Sequence, residues 1–172
     1  SAAPVSAERA RFALRLSWWA LLAMVFLVPI ATSNFTAFGF ENAFTQDQFE
    51  IVKVFVQRVL VLVALGAWGW DLLRHGGRVL RTPVDWLILA FVVWVAITTA
   101  LSIHWPTSLI GSRRYEGLLS FATLAVIYFL VLQFSGGPGR LHSLARALFF
   151  SSVIVAGYGV LQYLGWDPTD WG

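Results

Sequence analysis

Arg113 and Arg114 stand side by side in a short turn, Gly111-Ser112-Arg113-Arg114-Tyr115-Glu116-Gly117, wedged between two apolar runs. Two adjacent guanidiniums offer planar, forked donors that suit a phosphate in one or two hydrogen bonds of fixed geometry. Ser112 has N-cap chemistry, which predicts a helix opening there with Arg113, Arg114 and Tyr115 in its first turn. A helix N-terminus already carries partial positive charge and free N–H groups, so arginines add to the same field and favour a bound anion. Gly111 and Gly117 leave room for a ligand or another backbone to approach. A second reading stays open. Arg113 pairs with Glu116, and both arginines snorkel to lipid phosphates.

Arg58 is a third cation of interest, next to Gln57 inside an apolar run. A charge at membrane depth is costly and faces a polar cavity or a partner. Lys53 and Gln57 lie four apart and share a helix face, with Glu50 three residues before Lys53, so the outer end of this helix carries a polar stripe. The alternative is that the helix starts early and Arg58 is interfacial.

Other chemistries are poorly supplied. The chain has no cysteine, which excludes disulfide and thiolate chemistry. His75 and His142 fall in inner turns and His104 at an outer helix end, so no metal, haem or other cofactor is expected. His104 is the one candidate base on the outer side, and nothing in the sequence orients it. Asp85, just after Pro83, reads as a first-turn acidic residue. Without a buried acid pair, a proton or ion pump is disfavoured. No nucleic-acid partner is expected.

The elements that must position these residues follow from composition. Of 172 residues, 58% are hydrophobic and 12% charged, with a net charge of +3. That is too little charge for a soluble domain and points to an all-α, polytopic integral membrane protein. Five segments suit spanning helices, at 16–32, 52–70, 84–103, 118–134 and 147–164, within a single domain over 1–172. Alternating them puts Arg9, Arg11, Arg15, Arg74, Arg78, Arg81, Arg140 and Arg146 on one side and Lys53, Arg58, Arg113 and Arg114 on the other. Eight against four places the N-terminus in the cytoplasm and the C-terminus outside. The two arginines of the turn then run against the usual charge bias.

Tryptophans mark the boundaries, with Trp18, Trp19, Trp68, Trp70 and Trp86 near inner ends and Trp105, Trp166 and Trp171 near outer ends. Trp94 falls mid-span and reads as packing against a helix or lipid. Thr45 and Gln48 resemble a capping box that would start the second helix near Gln46. Ser152, Ala156, Gly157 and Gly159 in the last span suit close packing against another helix.

With its flanks, the turn looks like something known. Asp85-Trp86-Leu87, Ser102-Ile103-His104-Trp105-Pro106, and the run from Ser108 through Gly111-Ser112-Arg113-Arg114-Tyr115-Glu116-Gly117 to Leu119 resemble the first half of bacterial O-antigen ligase and polymerase-type membrane proteins. A "GS-x-R-x-x-G-L" segment there opens a helix. The stretch from Gly159 to Pro168 resembles the helix end before a later outer loop. The resemblance covers about residues 80–170 and is most specific at the arginine turn. It implies a multi-helix glycosyltransferase of the bacterial cytoplasmic membrane, taking a glycan linked to a lipid diphosphate, usually undecaprenyl diphosphate, and passing it to an acceptor on the outer side without a nucleotide-sugar or a required metal. It further implies that Arg113 and Arg114, and with them Arg58, hold the diphosphate, supported by Lys53, Gln57, Gly111, Ser112, Tyr115, Glu116 and Gly117.

The chain departs from that family in length. Members have many more helices and an outer loop that supplies a histidine and further arginines. The expectation is therefore the N-terminal portion of such an enzyme, or a shortened relative, that does not catalyse transfer alone. The competing expectation is a non-catalytic structural subunit of a larger membrane complex, packed against partner subunits and membrane lipids. A transporter is disfavoured, since no broken helices occur in paired halves.

Overall fold

The computed structural model describes residues 3–31, 48–76, 79–111, 116–137 and 139–165. These form six α-helices: α1 (Ala3–Ile30), α2 (Gln48–His75), α3 (Pro83–Ala100), α4 (Trp105–Ile110), α5 (Leu118–Phe134) and α6 (Arg140–Tyr163). The protein is all-α, and four of these helices are long and apolar enough to cross a bilayer: Phe12–Ile30, Val52–His75, Pro83–Ala100 and Arg140–Tyr163. That is the signature of a multi-pass membrane protein. The segment expected at 118–134 forms an apolar helix with those bounds, but with 17 residues it is shorter than the four. At 1.5 Å per residue it is about 26 Å long, against a hydrocarbon core of about 30 Å.

Side-chain pairs set the arrangement. Ser17 Oγ donates to the Ala64 carbonyl at 2.8 Å, locking α1 against α2. Their contact faces follow helical spacing, with Ala13, Ser17, Ala20 and Met24 buried on one and Val61, Ala64 and Asp71 on the other. Small residues let the two backbones approach, and the hydroxyl secures a contact in which apolar attraction alone has little selectivity in lipid. Leu130 and Phe134 of α5 complete this core. Trp68 meets Phe129 edge-on at 5.2 Å and Phe91 meets Phe121 at 5.5 Å, joining α5 to α2 and α3. The helices therefore follow one another in space as α6, α1, α2, α5, α3. Most large apolar side chains of α3 and α6 point away from the bundle. Apolar surface on that scale is stable only against lipid or further protein.

Two ends can be distinguished. The basic end holds the C-termini of α2 and α5 and the N-termini of α1, α3 and α6. The turn end holds the N-termini of α2 and α5 with α4 between α3 and α5. At the basic end, Thr82 N–H donates to Asp85 Oδ2 at 2.7 Å and its hydroxyl donates to Oδ1 at 2.9 Å, a reciprocal cap for α3 with Pro83 in its first turn. Asp85 is thus the first-turn acid expected. Thr82 Oγ1 also lies 3.0 Å from the Tyr128 hydroxyl of α5. Gln133 Nε2 donates to the Leu80 carbonyl at 3.0 Å, and its Oε1 accepts from the Leu80 N–H at 2.9 Å. The connection into α3 is thereby fastened to α5.

Several boundaries differ from those expected. α1 and α2 run well beyond the bilayer-matched windows, because polar helical ends project past the hydrocarbon without cost to the backbone. α2 begins at Gln48, whereas Thr45 lies outside the described residues. α3 ends at Ala100, and the short α4 follows with Pro106 in its first turn. The small residues of α6 are not the helix contact expected of them. Ser152, Ala156, Gly157 and Gly159 are exposed, while neighbouring Ser151 is fully buried. Ser152 turns its hydroxyl onto its own helix, 2.8 Å from the Leu148 carbonyl. Trp94 is 66% exposed, on the outward face of α3.

Candidate functional site

Helix α5 does not start at Ser112. Its N-cap is Gly117, and the first helical residue is Leu118. The cause is backbone crowding. A Cβ on Gly117 would stand 2.5 Å from the Gly111 nitrogen, 2.5 Å from the Leu109 carbonyl oxygen and 2.6 Å from the Ile110 carbonyl carbon. Only glycine lets the chain return so closely to the end of α4. At the other side of the turn, Gly111 caps α4 with φ +95°, and its N–H donates to the Thr107 carbonyl at 2.7 Å. Glycine suits that backbone as well. The room at Gly117 is therefore filled by the chain's own backbone, and the turn from Gly111 to Gly117 closes on itself at its base. Glu116 is exposed. Ser112, Arg113, Arg114 and Tyr115 lie outside the described residues.

Arg58 reaches this place from a different part of the chain. Its Nη2 lies 3.4 Å from Ser120 Oγ, in the first turn of α5, across a sequence separation of 62 residues. Its Nε is buried and has no hydrogen-bond partner among the described residues. A buried charged donor without a partner is costly, and its presence calls for an explanation such as a ligand or ion. Lys53 and Gln57 are half-buried on the same helix toward the turn end.

The level of Arg58 matters as much as its partner. It lies ten residues into α2, which starts at Gln48. At 1.5 Å per residue, about 15 Å of α2 precedes Arg58. Lys53 and Gln57 lie on that stretch of α2. The early helix start foreseen as an alternative is real, and Arg58 is nevertheless drawn inward against α5. The other hydroxyls of this end are engaged with each other, Ser108 Oγ donating to Ser102 Oγ at 2.7 Å. His104 is exposed at the N-cap of α4, where its side chain makes no capping bond.

Such an arrangement can hold an anion. It offers a guanidinium with an unused buried N–H and the start of a helix with no acidic residue in its first turn and no side-chain cap. Among the described residues, no group of three or more His, Cys, Asp or Glu side chains converges as metal ligands would. Ser120 and α4 were missed in the sequence. Ser120 had a signal, being a hydroxyl three residues after the turn, and α4 had one in Pro106, whose place at a helix start is typical.

No family model, curated protein or solved structure matches this chain.

Proposed function

We propose that the chain is part of a membrane glycosyltransferase of the O-antigen ligase type, binding a glycan linked to a lipid diphosphate at the turn end. Five helices span the bacterial cytoplasmic membrane in this reading, with the N-terminus in the cytoplasm and the turn end outside; α5 is the fourth of them in chain order and the shortest. The observation that carries it is the buried, unpartnered Nε of Arg58 beside the first turn of α5. Arg113 and Arg114, in the turn that closes at Gly117, supply the other positive charges. A diphosphate leaving group needs such charge where negative charge develops as the sugar departs. The acyl chain of an undecaprenyl lipid would lie along the exposed apolar helices, and Lys53 and Gln57 would line the way in. The chain holds no evident base, so activation of the acceptor falls to residues elsewhere in the complete enzyme or to a partner.

The test is glycan transfer by the full-length protein in its native membrane. Arg113→Ala and Arg114→Ala each abolish transfer while membrane insertion is retained; unchanged transfer rejects the reading. Since the chain lacks cysteine, single cysteines placed at residues 116 and 76 report topology directly. Labelling by an impermeant thiol reagent from outside is expected at 116 and not at 76.

One observation favours a second reading, that of a structural subunit. The small residues of α6 are exposed, with open space around Gly157 and Gly159, as on a helix awaiting a partner. Ala156→Leu would then break a complex with other membrane subunits, whereas the enzyme reading leaves transfer sensitive to the arginines.

A further inference from the structure

At the basic end, one arginine joins three helices. Arg140 opens α6, and its guanidinium carbon lies 5.7 Å from the Trp18 ring centroid of α1 and 5.4 Å from that of Phe134 of α5. Those two rings are themselves 5.9 Å apart. The Arg140 stem passes over Gly137, where an added Cβ would lie 3.4 Å from Arg140 Cδ. The guanidinium carbon thus lies over two aromatic rings, where attraction to the ring quadrupoles holds it. Its N–H donors make no hydrogen bond or ion pair among the described residues. Arg140 itself is exposed, so those donors face outward.

Among the described residues, no acid pairs with it. The two acids described at this end are engaged elsewhere, Asp71 with His75 at 3.1 Å and Asp85 with Thr82. Arg15, Arg74, Arg81 and Arg146 are exposed here too, and Arg74 is stacked on Trp70 at 4.6 Å. Positive charge thus exceeds negative among the described residues at this rim of an apolar bundle. Its aromatic residues set it at headgroup level, where lipid phosphates are the abundant anions.

We propose that Arg140, held on Trp18 and Phe134, is a binding site for the phosphate of an anionic lipid headgroup, and that the bound lipid fastens α6 to α1 and α5. A forked cation held over two rings, with its side-chain donors unused among the described residues, has the donor pattern to take phosphate oxygens in two parallel hydrogen bonds. The need for such a fastening is visible in the packing. α6 rests mainly on α1, and the buried Ser151 hydroxyl has no partner among the described residues. Arg140 reaches α5 through the Phe134 ring. This site is at the opposite end from Arg58 and stands independently of the glycosyltransferase reading.

The experiment uses the full chain in nanodiscs of phosphatidylcholine with and without phosphatidylglycerol, and reads thermal unfolding. The anionic lipid is expected to raise the Tm of the wild type by about 2–4 °C. Arg140→Gln removes that rise, and Arg146→Gln, which loses the same charge outside the stack, retains most of it. An equal loss in both variants means that bulk charge alone acts, and overturns the site. A rise preserved in Arg140→Gln also overturns it. Inorganic phosphate added to phosphatidylcholine discs is expected to have no effect; a rise of the same size would assign the site to a soluble anion and overturn the lipid. If Arg140→Gln does not insert, a photoactivatable phosphatidylglycerol on the wild type decides. Crosslinking concentrated on the peptide around Arg140 supports the site, and crosslinking spread over the basic end overturns it.

Discussion

The two ends of the bundle treat polar groups in opposite ways. At the basic end, Thr82, Asp85, Tyr128 and Gln133 satisfy one another and the backbone of the loop entering α3. At the turn end, Arg58 makes one long contact to Ser120 and keeps a buried donor unpaired. Satisfied networks make a structure rigid, and a half-satisfied one is worse for stability than an apolar contact. The first end is therefore built to hold helices in place, and the second carries a cost among the described residues that a bound anion would offset. The difference predicts that stability and binding respond to different substitutions.

The largest effect on folding is expected where backbone meets backbone. Gly117→Ala forces apart the contact with Leu109, Ile110 and Gly111, and side chains there have no way to yield. A loss of about 1–3 kcal/mol or more is expected in detergent unfolding, with the turn displaced. A variant as stable as the parent would mean that the turn does not close as described. Leu21→Ala is comparable in size. This side chain is fully buried between α1 and its neighbours, and its loss should cost about 2–5 kcal/mol.

Next comes the latch at the basic end. Gln133→Leu deletes both bonds to Leu80 and should cost about 1–3 kcal/mol, with faster hydrogen exchange at the Leu80 amide as a local readout. Arg58 is the contrasting case. Arg58→Met keeps the stem and removes the unpaired charge, so stability is expected to hold or rise. If the Arg58 and Gln133 variants lose stability alike, the two ends do not differ in kind.

The smallest effect is expected at two buried hydroxyls. Ser17→Ala loses the bond to Ala64 and should cost about 0.5–1.5 kcal/mol. Ser151→Ala loses none that the described residues supply, and should fall within about 0.5 kcal/mol of the parent.

The sequence and the structure part company along the same line. Apolar runs bounded by Gly and Pro read directly as helices, and 118–134 is recovered to the residue. Asp85 in the first turn of α3 was legible too, since it follows Pro83 closely and acts locally. Ser112 misled as a cap because the true start of α5 depends on a backbone approach from α4, a contact between segments that residue types do not encode. The partner of Arg58 was hidden for the same reason, being 62 residues away. The exposed small residues of α6 show the limit of pattern: Ser151 and Ser152 are adjacent, and only packing decides which faces α1. The arginine pair itself, Arg113 and Arg114, is known from the sequence alone and lies outside the described residues.

The most direct measurement of the central claim is binding of a polyprenyl diphosphate to the full chain in nanodiscs, for the wild type and Arg58→Met, with thermal unfolding recorded on the same samples. The prediction is that Arg58→Met weakens binding about tenfold or more, the loss of one charge-assisted bond, while its unfolding temperature is unchanged or higher. Undiminished binding, or a loss of binding that merely follows a loss of stability, would contradict the assignment of the turn end as an anion site.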